Sequence, residues 1–240
     1  MQFSIIIPTK NEIKNLRKTL PQFQMLEGKF SYEVIIADGK SDDGTIDFAR
    51  SFGYRVEVKT KEGRETIGEG RNRGARVAQG EILVFIDAGV VVDTIVDFFT
   101  QIHNIFSDVR IVAAVPRVNI HPDEATFADV VVHGLVNTLV RFINIIGLGA
   151  GKGETQIVRK TAFERVAGYN EALAAAEDND LFRRLARIGK VVFLRDLQVF
   201  DNPSRYRKLG YPRVIVQWIL NQLFVIVFGR SYSKEWKRVD

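Results

Sequence analysis

No cysteine occurs among the 240 residues of the chain. Disulfide bonds, cysteine-based metal sites and cysteine nucleophiles are therefore excluded. Histidine is also scarce, with three in all, and neither His121 nor His133 stands at a spacing typical of a metal site. We expect both to be surface or packing residues.

Targeting signals and long apolar runs are also missing. The start of the chain, MQFSIIIP, has no basic lead, so we expect a strand there rather than a signal peptide. The most apolar segment, residues 214–228, is shorter than the roughly 20 residues that a membrane span requires. Gln217, Asn221 and Gln222 place a polar stripe along it. We expect a cytoplasmic protein, or one bound at the cytoplasmic face of a membrane.

The composition is that of an ordinary globular protein, with 46% hydrophobic and 26% charged residues. A net charge of +5 favours anionic partners such as nucleotides or phospholipid head groups. Nucleic acid is not expected, because no block of Lys and Arg is interleaved with aromatic residues.

Hydrophobic periodicity predicts alternating strands and helices in the first half of the chain. The predicted strands are residues 3–7, 32–37, 55–60, 82–86 and 110–115. The predicted helices are residues 12–20, 45–52, 70–78 and 93–106, the last with Asp93 as its N-cap. This alternation predicts an α/β fold with a mostly parallel, doubly wound sheet and helices on both faces.

The second half is less regular. It predicts a long apolar helix over about 125–146, a glycine-rich loop at 147–153, strands near 155–158 and 191–194, and helices from 161, from 177 and over 214–228. No linker separates the halves. We therefore expect one domain over residues 1–203, with lobes at about 1–115 and 116–203, followed by a C-terminal segment at 204–240.

Polar residues follow the buried strands: Thr9 ends the first, Asp38 the second and Asp87 the fourth. Ligands of open α/β sheets bind at the carboxyl ends of the strands, so these residues predict a ligand crevice. A dinucleotide site is excluded, because the first turn, PTKNE, has no glycine. A phosphate-binding loop of the Walker type is excluded too, because the glycine-rich loop lacks the required Gly-Lys-Ser/Thr ending.

Three acids lie within four residues at the start of the helix that begins near residue 177: Glu177, Asp178 and Asp180. Crowded carboxylates raise one another's pKa and suit a site that takes up a proton. A solvated, capped helix start explains the same pattern. Both interpretations stay open for this segment alone.

A second helix start, GEGRNRGA at residues 68–75, carries Arg71 and Arg73. Free backbone N–H groups and arginines at such a position can hold an anion. Solvated arginines at an ordinary helix start are the alternative.

Four segments, in this order, resemble the family 2 glycosyltransferases, which have the GT-A fold and use nucleotide-activated sugars. The segments are SIIIPTKNE at 4–12, VIIADGKSDDGT at 34–45, GRNRGA at 70–75 leading to GEILVFID at 80–87, and EDNDL at 177–181. GYNE at 168–171 also looks like the family. The match covers most of residues 3–200.

The resemblance implies that a sugar moves from a nucleotide-sugar donor, UDP- or GDP-linked, to an acceptor glycan or a lipid-linked acceptor. Transfer would be a single displacement with inversion, in which Asp178, assisted by Glu177, is the general base. By the same resemblance, Thr9, Asp38 and Arg71 hold the base and ribose, and Glu12 lies near the ribose. The implied donor site consists of Pro8, Thr9, Glu12, Asp38, Arg71, Asp87 and Ala88.

A divalent cation, Mg²⁺ or Mn²⁺, is also implied by the resemblance, with Asp87 as its ligand. Gly89 stands where the family has a second acid, and glycine offers no side-chain ligand. Mg²⁺ often uses only one or two carboxylates plus phosphate oxygens and water, so Asp87 alone can suffice. The alternative is a non-catalytic protein that binds sugar nucleotides or takes part in a membrane-associated assembly.

The basic segment at 204–213 precedes the apolar C-terminal helix, and the helix at 125–146 is similarly apolar. Both could lie at a membrane surface, with basic residues facing anionic lipid. Packing of the two helices on each other, or a homodimer contact, is the alternative.

Overall fold

The structure is a computed structural model that describes residues 1–235, so residues 236–240 of the predicted C-terminal segment lie outside the described residues. Its strands are Phe3–Thr9 (β1), Tyr32–Asp38 (β2), Arg55–Val58 (β3), Ile82–Ile86 (β4), Val91–Val92 (β5), Ile111–Ile120 (β6), Thr155–Arg159 (β7) and Lys190–Asp201 (β8). Its α-helices are Ile13–Thr19 (α1), Thr45–Ser51 (α2), Ile67–Val77 (α3), Ile95–Ile105 (α4), Phe127–Ile145 (α5), Lys160–Arg165 (α6), Glu177–Ala186 (α7), Ser204–Leu209 (α8) and Tyr211–Phe228 (α9).

The eight strands form one sheet in the order β3-β2-β1-β4-β7-β6-β8-β5. β1, β2, β3 and β4 are parallel, and so are β6 and β8. β7 is antiparallel to both of its neighbours, and β5 is antiparallel to β8. The predicted α/β fold with a mostly parallel sheet is confirmed.

One edge of the sheet collects the carboxyl ends of six strands. β4 and β6 run in the same direction because both are antiparallel to β7, so the carboxyl ends of β1, β2, β3, β4, β6 and β8 share this edge. The register places Thr9 opposite Asp38, and Ile120 opposite Asp201. β7 begins at the same edge, since Thr155 pairs with Ile86.

Apolar side chains cover the sheet on both faces. On one face Phe3, Ile5 and Ile7 of β1 pack against α1 and α4. On the other, Ile6 and Phe85 pack against α3 and α7. This alternation of inward positions along β1 reflects the two-residue period of a strand and gives the sheet a core on each side.

Several boundaries differ from the sequence-based prediction; β6, for example, continues to Ile120 rather than to residue 115. Asp93 is exposed and is not the N-cap of α4, because Thr94 occupies that position and no side chain caps the helix. α3 begins at Ile67, where Thr66 and Glu69 form a reciprocal capping box. β8 continues to Asp201, past an irregularity in its pairing with β6.

α5 and α9 bury several polar side chains and expose many apolar ones. α5 buries Asp129, His133, Asn137 and Asn144 besides Val140, and α9 buries Asn221 besides Val214 and Val225. By length and composition, α5 and α9 are both apolar enough to cross a membrane, which differs from the expectation that residues 214–228 are too short. Only 28% of this stretch of α5 and 17% of that of α9 are buried inside the molecule.

Candidate active site

The end of β1 meets the end of β2 through a buried hydrogen-bonded pair. The hydroxyl of Thr9 donates to Asp38 Oδ2 at 2.8 Å. Ser41 donates to the same carboxylate from its backbone N–H at 2.7 Å and its hydroxyl at 2.6 Å. Asp38 is fully buried, and these hydrogen bonds hold Thr9 and the loop after β2 against it.

Arg71 of α3 is a fully buried cation between two acids. Its guanidinium donates to Asp87 Oδ1 at 2.8 Å and to Glu177 Oε1 at 2.8 Å. It also donates to the Gly153 carbonyl at 2.7 Å and lies 5.4 Å from the ring centre of Tyr169. Burial disfavours its charge, but the adjacent Asp87 keeps the pKa of Arg71 above its ordinary value.

Among the described residues, the hydrogen-bond partners of Arg71 are thus Asp87, Glu177 and Gly153, and not Thr9 or Asp38. Arg73 approaches Asp38 instead, donating to its backbone carbonyl at 2.9 Å while it pairs with Glu65. Both arginines of this helix start are engaged by acids of the chain, and neither is a solvated arginine at an ordinary helix start.

α7 begins directly at Glu177 and Asp178, the two acids predicted to be catalytic. Neither caps the helix with its side chain, because Ala176 occupies the N-cap position in a left-handed conformation with φ +61°. Glu177 is buried against Arg71. Burial and the neighbouring Glu177 raise the pKa of Asp178 to about 7.

Left-handed backbone is uncommon outside glycine, and it costs energy that the surrounding structure must offset. Of the described residues, Asn11, Lys40, Ala167 and Ala176 are the non-glycines with positive φ. Three of these four lie within two residues of a predicted site residue: Asn11 precedes Glu12, Lys40 follows Asp38, and Ala176 directly precedes Glu177.

Asp87 is joined by two acids that the sequence analysis did not select, Glu154 and Asp201. The backbone N–H of Asp87 donates to the Glu154 carbonyl at 3.0 Å, which places the start of β7 beside the end of β4. Burial raises the pKa of Asp87 to about 6. Burial and the nearby Glu154 raise the pKa of Asp201 to about 8.

Buried Lys152 lies in the same region and donates to Asn137 Oδ1 of α5 at 3.1 Å. Burial lowers its pKa, although Glu154, Asp201 and Asp178 oppose that shift. The rule that polar residues end parallel strands could have identified Asp201, had β8 been predicted to its full length. Glu154 and Lys152 carry no such signal, because they border an antiparallel strand.

The remaining predicted residues lie at the rim of this region. Pro8 and Ala88 are half-buried at the ends of β1 and β4. Glu12 accepts a hydrogen bond from Asn15 at 2.6 Å, and Asn15 in turn accepts one from Asn202 at 3.1 Å. This chain of contacts links the loop after β1 to the end of β8.

The donor set around Asp87 suits a hard divalent cation, since carboxylate oxygens are the ligands that Mg²⁺ and Mn²⁺ prefer. Burial is the main cause of the raised pKa values of Asp87 and Asp201, and the nearby Glu154 raises both further. Within residues 1–235, however, no group of three or more histidines or acids is arranged to hold a metal ion. The residues fit a cation that Asp87 shares with other oxygen ligands.

Gly89 is required by the backbone at its position. Its φ is +97°, a conformation that side chains rarely adopt, and an added Cβ would lie 3.4 Å from the Asn15 side chain. The turn after β4 therefore disfavours a second acid there.

Comparison with known proteins identifies relatives for the first half of the chain. Residues 4–129 match the family model described as glycosyl transferase family 2. The chain is 36% identical over 94 residues to the uncharacterized glycosyltransferase YfnE of Bacillus subtilis, covering 38% of this chain and 24% of that protein. It is 30% identical over 90 residues to the dolichol-phosphate mannosyltransferase of Pyrococcus furiosus, covering 37% and 26%. The chain thus spans about a quarter of the length of these relatives.

Solved structures extend the likeness of the fold to most of the chain. The mannosyltransferase PcManGT of Pyrobaculum calidifontis, in complex with GDP-Man and Mn²⁺, has a TM-score of 0.65 at 19% identity and covers 83% of this chain and 56% of that one. TarS of S. aureus, in complex with UDP-GlcNAc, has a TM-score of 0.64 at 17% identity and covers 88% and 62%.

Proposed function

The chain belongs to glycosyltransferase family 2, and from that premise we propose that it moves a sugar from a nucleotide-sugar donor to an acceptor by single displacement with inversion. One observation carries the proposal. Asp178 has a pKa raised to about 7 and lies beside Glu177, which Arg71 connects to Asp87 at the carboxyl edge of the sheet.

In this mechanism Asp178 is the general base. Its carboxylate takes the proton of the acceptor hydroxyl as the oxygen attacks the anomeric carbon and the bond from that carbon to the diphosphate breaks. A carboxylate with a pKa near neutrality is a stronger base than an ordinary one and is still ionised in a useful fraction. An acceptor phosphate on a lipid would react through an oxygen that is already ionised, so the base would matter less.

Glu177 and Arg71 act on this base indirectly. The buried Glu177–Arg71–Asp87 chain of ion pairs fixes the start of α7 against α3 and the end of β4. We assign Glu177 and Arg71 to the positioning of Asp178 and Asp87, since Arg71 is fully buried.

Donor binding is assigned to the lobe at about 1–115. The Thr9–Asp38 pair would form the nucleoside side of the site, with Pro8, Ala88 and Glu12 along the rim. The acceptor would bind the lobe at about 116–203, which supplies α7. The PcManGT complex contains GDP-Man and the TarS complex UDP-GlcNAc, so both nucleotide classes are candidates.

Asp87 would hold a divalent cation together with the donor diphosphate. When bound, such a cation neutralises charge on the leaving diphosphate. The Mn²⁺ in the PcManGT complex supports this assignment. Asp87 accepts one hydrogen bond from Arg71 through Oδ1, and its carboxylate would keep further lone pairs for an ion.

The test is incubation of the full chain with a panel of UDP- and GDP-linked sugars, with Mg²⁺ or Mn²⁺ and with a chelator. We expect sugar transfer or slow donor hydrolysis with one nucleotide class. Asp178→Asn should reduce turnover by about a thousandfold or more while donor affinity is retained. Asp180→Asn is the matched control, because Asp180 lies in the same helix turn as Asp178 but pairs with Arg184 at 2.8 Å.

Donor binding without turnover, unchanged by Asp178→Asn, would support the non-catalytic alternative. Full turnover in Asp178→Asn would instead remove Asp178 from the mechanism.

A further inference from the structure

Exposed apolar side chains are concentrated on one part of the molecule. Among residues 1–235, nineteen large apolar residues are exposed, and sixteen of them lie within 127–148 or 216–232. On α5 the exposed stripe includes Phe127, Val131, Leu135, Leu139, Phe142 and Ile145. On α9 it includes Val216, Ile219, Leu223 and Val227. We call the outer faces of α5 and α9 the apolar surface.

The apolar surface has the reverse of the pattern expected for a helix that covers the core of a soluble protein. The inner side of α5 carries polar groups with defined partners: Asn137 donates to the Val118 carbonyl at 3.0 Å, and Asn144 donates to the Ala150 carbonyl at 3.0 Å. These contacts fix the rotation of the helix and direct its apolar side chains outward. Exposed apolar area of this extent marks an interaction surface.

Both helices are attached to the domain, so they lie along it. Asp129 of α5 accepts hydrogen bonds from Arg207 and from the Tyr211 hydroxyl at the start of α9. At the other end of α9, Ser231 donates to the Ala175 carbonyl at 2.7 Å and Asn221 accepts from the Ser233 backbone. A helix held at both ends is placed to lie in an interface rather than to cross a bilayer.

The charge around the apolar surface is mainly positive. Residues 127–148 and 204–235 contain seven Lys or Arg against two Asp or Glu, a net of +5 that equals the net charge of the whole chain. Both of these acids are already paired, Asp129 with Arg207 and Glu235 with Arg64. Arg141, Arg213 and Arg230 are exposed beside the apolar stripes.

The positive charge distinguishes the two candidate partners of the apolar surface, a second copy of the chain and a membrane. A second copy of the chain would place the same basic surface against itself, which is repulsive. An anionic bilayer offers both an apolar layer and negative head groups, and each basic residue near such a surface adds about 1 kcal/mol of attraction. We propose that the apolar surface docks into the interface of a membrane that contains anionic lipid.

Docking would bring the active-site cleft to the level of the head groups. The inner side of α5 supports Lys152 through Asn137, and the turn after α9 holds Ala175, two residues before Glu177. The docking does not depend on the proposed function, because it rests on the outer faces of α5 and α9.

The test is co-sedimentation of the full chain with vesicles of phosphatidylcholine alone or mixed with phosphatidylglycerol. We expect binding to the mixed vesicles that weakens as salt is raised. The double variant Leu135→Glu/Phe142→Glu should bind at least about tenfold less, because it places two charges in the apolar layer. Val109→Glu is the control, since Val109 is 79% exposed and belongs to neither α5 nor α9 but to the turn before β6.

Charge reversal provides a second variant at exposed positions. Arg213→Glu/Arg230→Glu should lose the preference for phosphatidylglycerol. Thermal melting of all variants within a few degrees of the parent protein would show that folding is retained.

Failure of the parent protein to bind either vesicle would overturn the proposal. So would a dimer in vesicle-free buffer that Leu135→Glu/Phe142→Glu dissociates, since the occupant would then be a second copy. Asp178→Asn should bind vesicles like the parent chain, so loss of turnover and loss of docking remain separate results.

Discussion

Adjacent acids in this chain have different surroundings at the level of single residues. Glu177 is buried against the guanidinium of Arg71, whereas Asp178 faces no cation at hydrogen-bond distance within the described residues and has a raised pKa. The two ends of the ion-pair chain differ in exposure, because the Asp87 side chain is about one third exposed and Glu177 is buried. The proposed base, Asp178, and the residue that positions it, Glu177, thus differ in burial and in hydrogen-bond partners.

The pH dependence of turnover follows from the pKa of Asp178. Because the ionised carboxylate is the active form, turnover should be low in acid and increase with pH until it levels off above about 7. Below that value it should fall about tenfold per pH unit. Initial rates with saturating donor, measured in a series of buffers of constant ionic strength, would check this, and a rate independent of pH across that region would contradict the assignment.

Arg71→Lys should destabilise the protein strongly. One ammonium group cannot reach Asp87, Glu177 and the Gly153 carbonyl together, so at least one buried partner would be left without its hydrogen bond. We expect the free energy of unfolding to fall by about 3 kcal/mol, as measured by urea denaturation.

Arg76→Lys on the same helix is the control for this substitution. Arg76 is exposed and pairs weakly with Glu171 at 3.4 Å, so its replacement should change the free energy of unfolding by less than about 0.5 kcal/mol. Equal stability of the two variants would mean that the buried ion pairs around Arg71 are dispensable.

Close packing between elements places α3 over the sheet. At Gly74 an added Cβ would lie 2.5 Å from Ile6 Cγ2, so the absence of a side chain lets α3 lie close to β1. The same helix carries Arg71 one turn earlier. The distance between α3 and the sheet therefore determines how far the guanidinium of Arg71 reaches toward Asp87 and Glu177.

Two glycine substitutions test the packing of helices on the sheet. Gly74→Ala should lower the free energy of unfolding by about 2 kcal/mol, because Ile6 or the whole helix must shift. Gly134→Ala, in exposed α5 with nothing within 4 Å of the added Cβ, should raise it by up to about 1 kcal/mol through helix propensity. Chemical denaturation of both variants gives the comparison, and a stabilising Gly74→Ala would refute the close approach.

At the scale of the whole molecule, one buried carboxylate connects the body of the protein to its C-terminal helices. Asp129 is almost completely buried and receives hydrogen bonds from Thr126, Arg207 and Tyr211. The hydrogen bonds from Arg207 hold the pKa of Asp129 well below its usual range. The orientation of α5 and the position of α9 thus depend on the same group.

Asp129→Asn should loosen this connection. We expect a loss of about 2 kcal/mol in the free energy of unfolding at neutral pH, together with faster proteolytic cleavage near residues 203–210. The folded-state pKa is depressed, so the stabilisation is complete above the unfolded value of about 3.9 and declines as the pH falls below it. The difference between parent and variant should therefore shrink in acid.

Asp123→Asn serves as the comparison, since Asp123 is exposed and lies shortly before α5. It should leave both stability and the rate of cleavage near the parent values. A difference between parent and Asp129→Asn that persists unchanged in acid would argue against an ionised Asp129 in the folded protein.

Local patterns predicted much of the framework and selected part of the candidate site. Thr9, Asp38 and Asp87 could be selected as candidates because polar residues at the ends of buried strands are visible in the sequence. Lys152 and Glu154 were missed because their neighbours in space, Asn137 and Asp87, are distant in the chain. The predicted cap at Asp93 was wrong because a preference for acids at helix starts does not decide which residue adopts the N-cap conformation.

The sequence by itself determined the order of strands and helices, the family, and the residue types at the strand ends, because each depends on neighbours along the chain. Only the tertiary structure decided the direction of β7, the partners of Arg71 and the outward orientation of the apolar faces of α5 and α9. Periodicity shows that a helix has an apolar face. The contacts of its polar face decide whether the apolar face lies against the core or points outward. Those contacts join residues far apart in the chain, and they form only when the sheet is assembled.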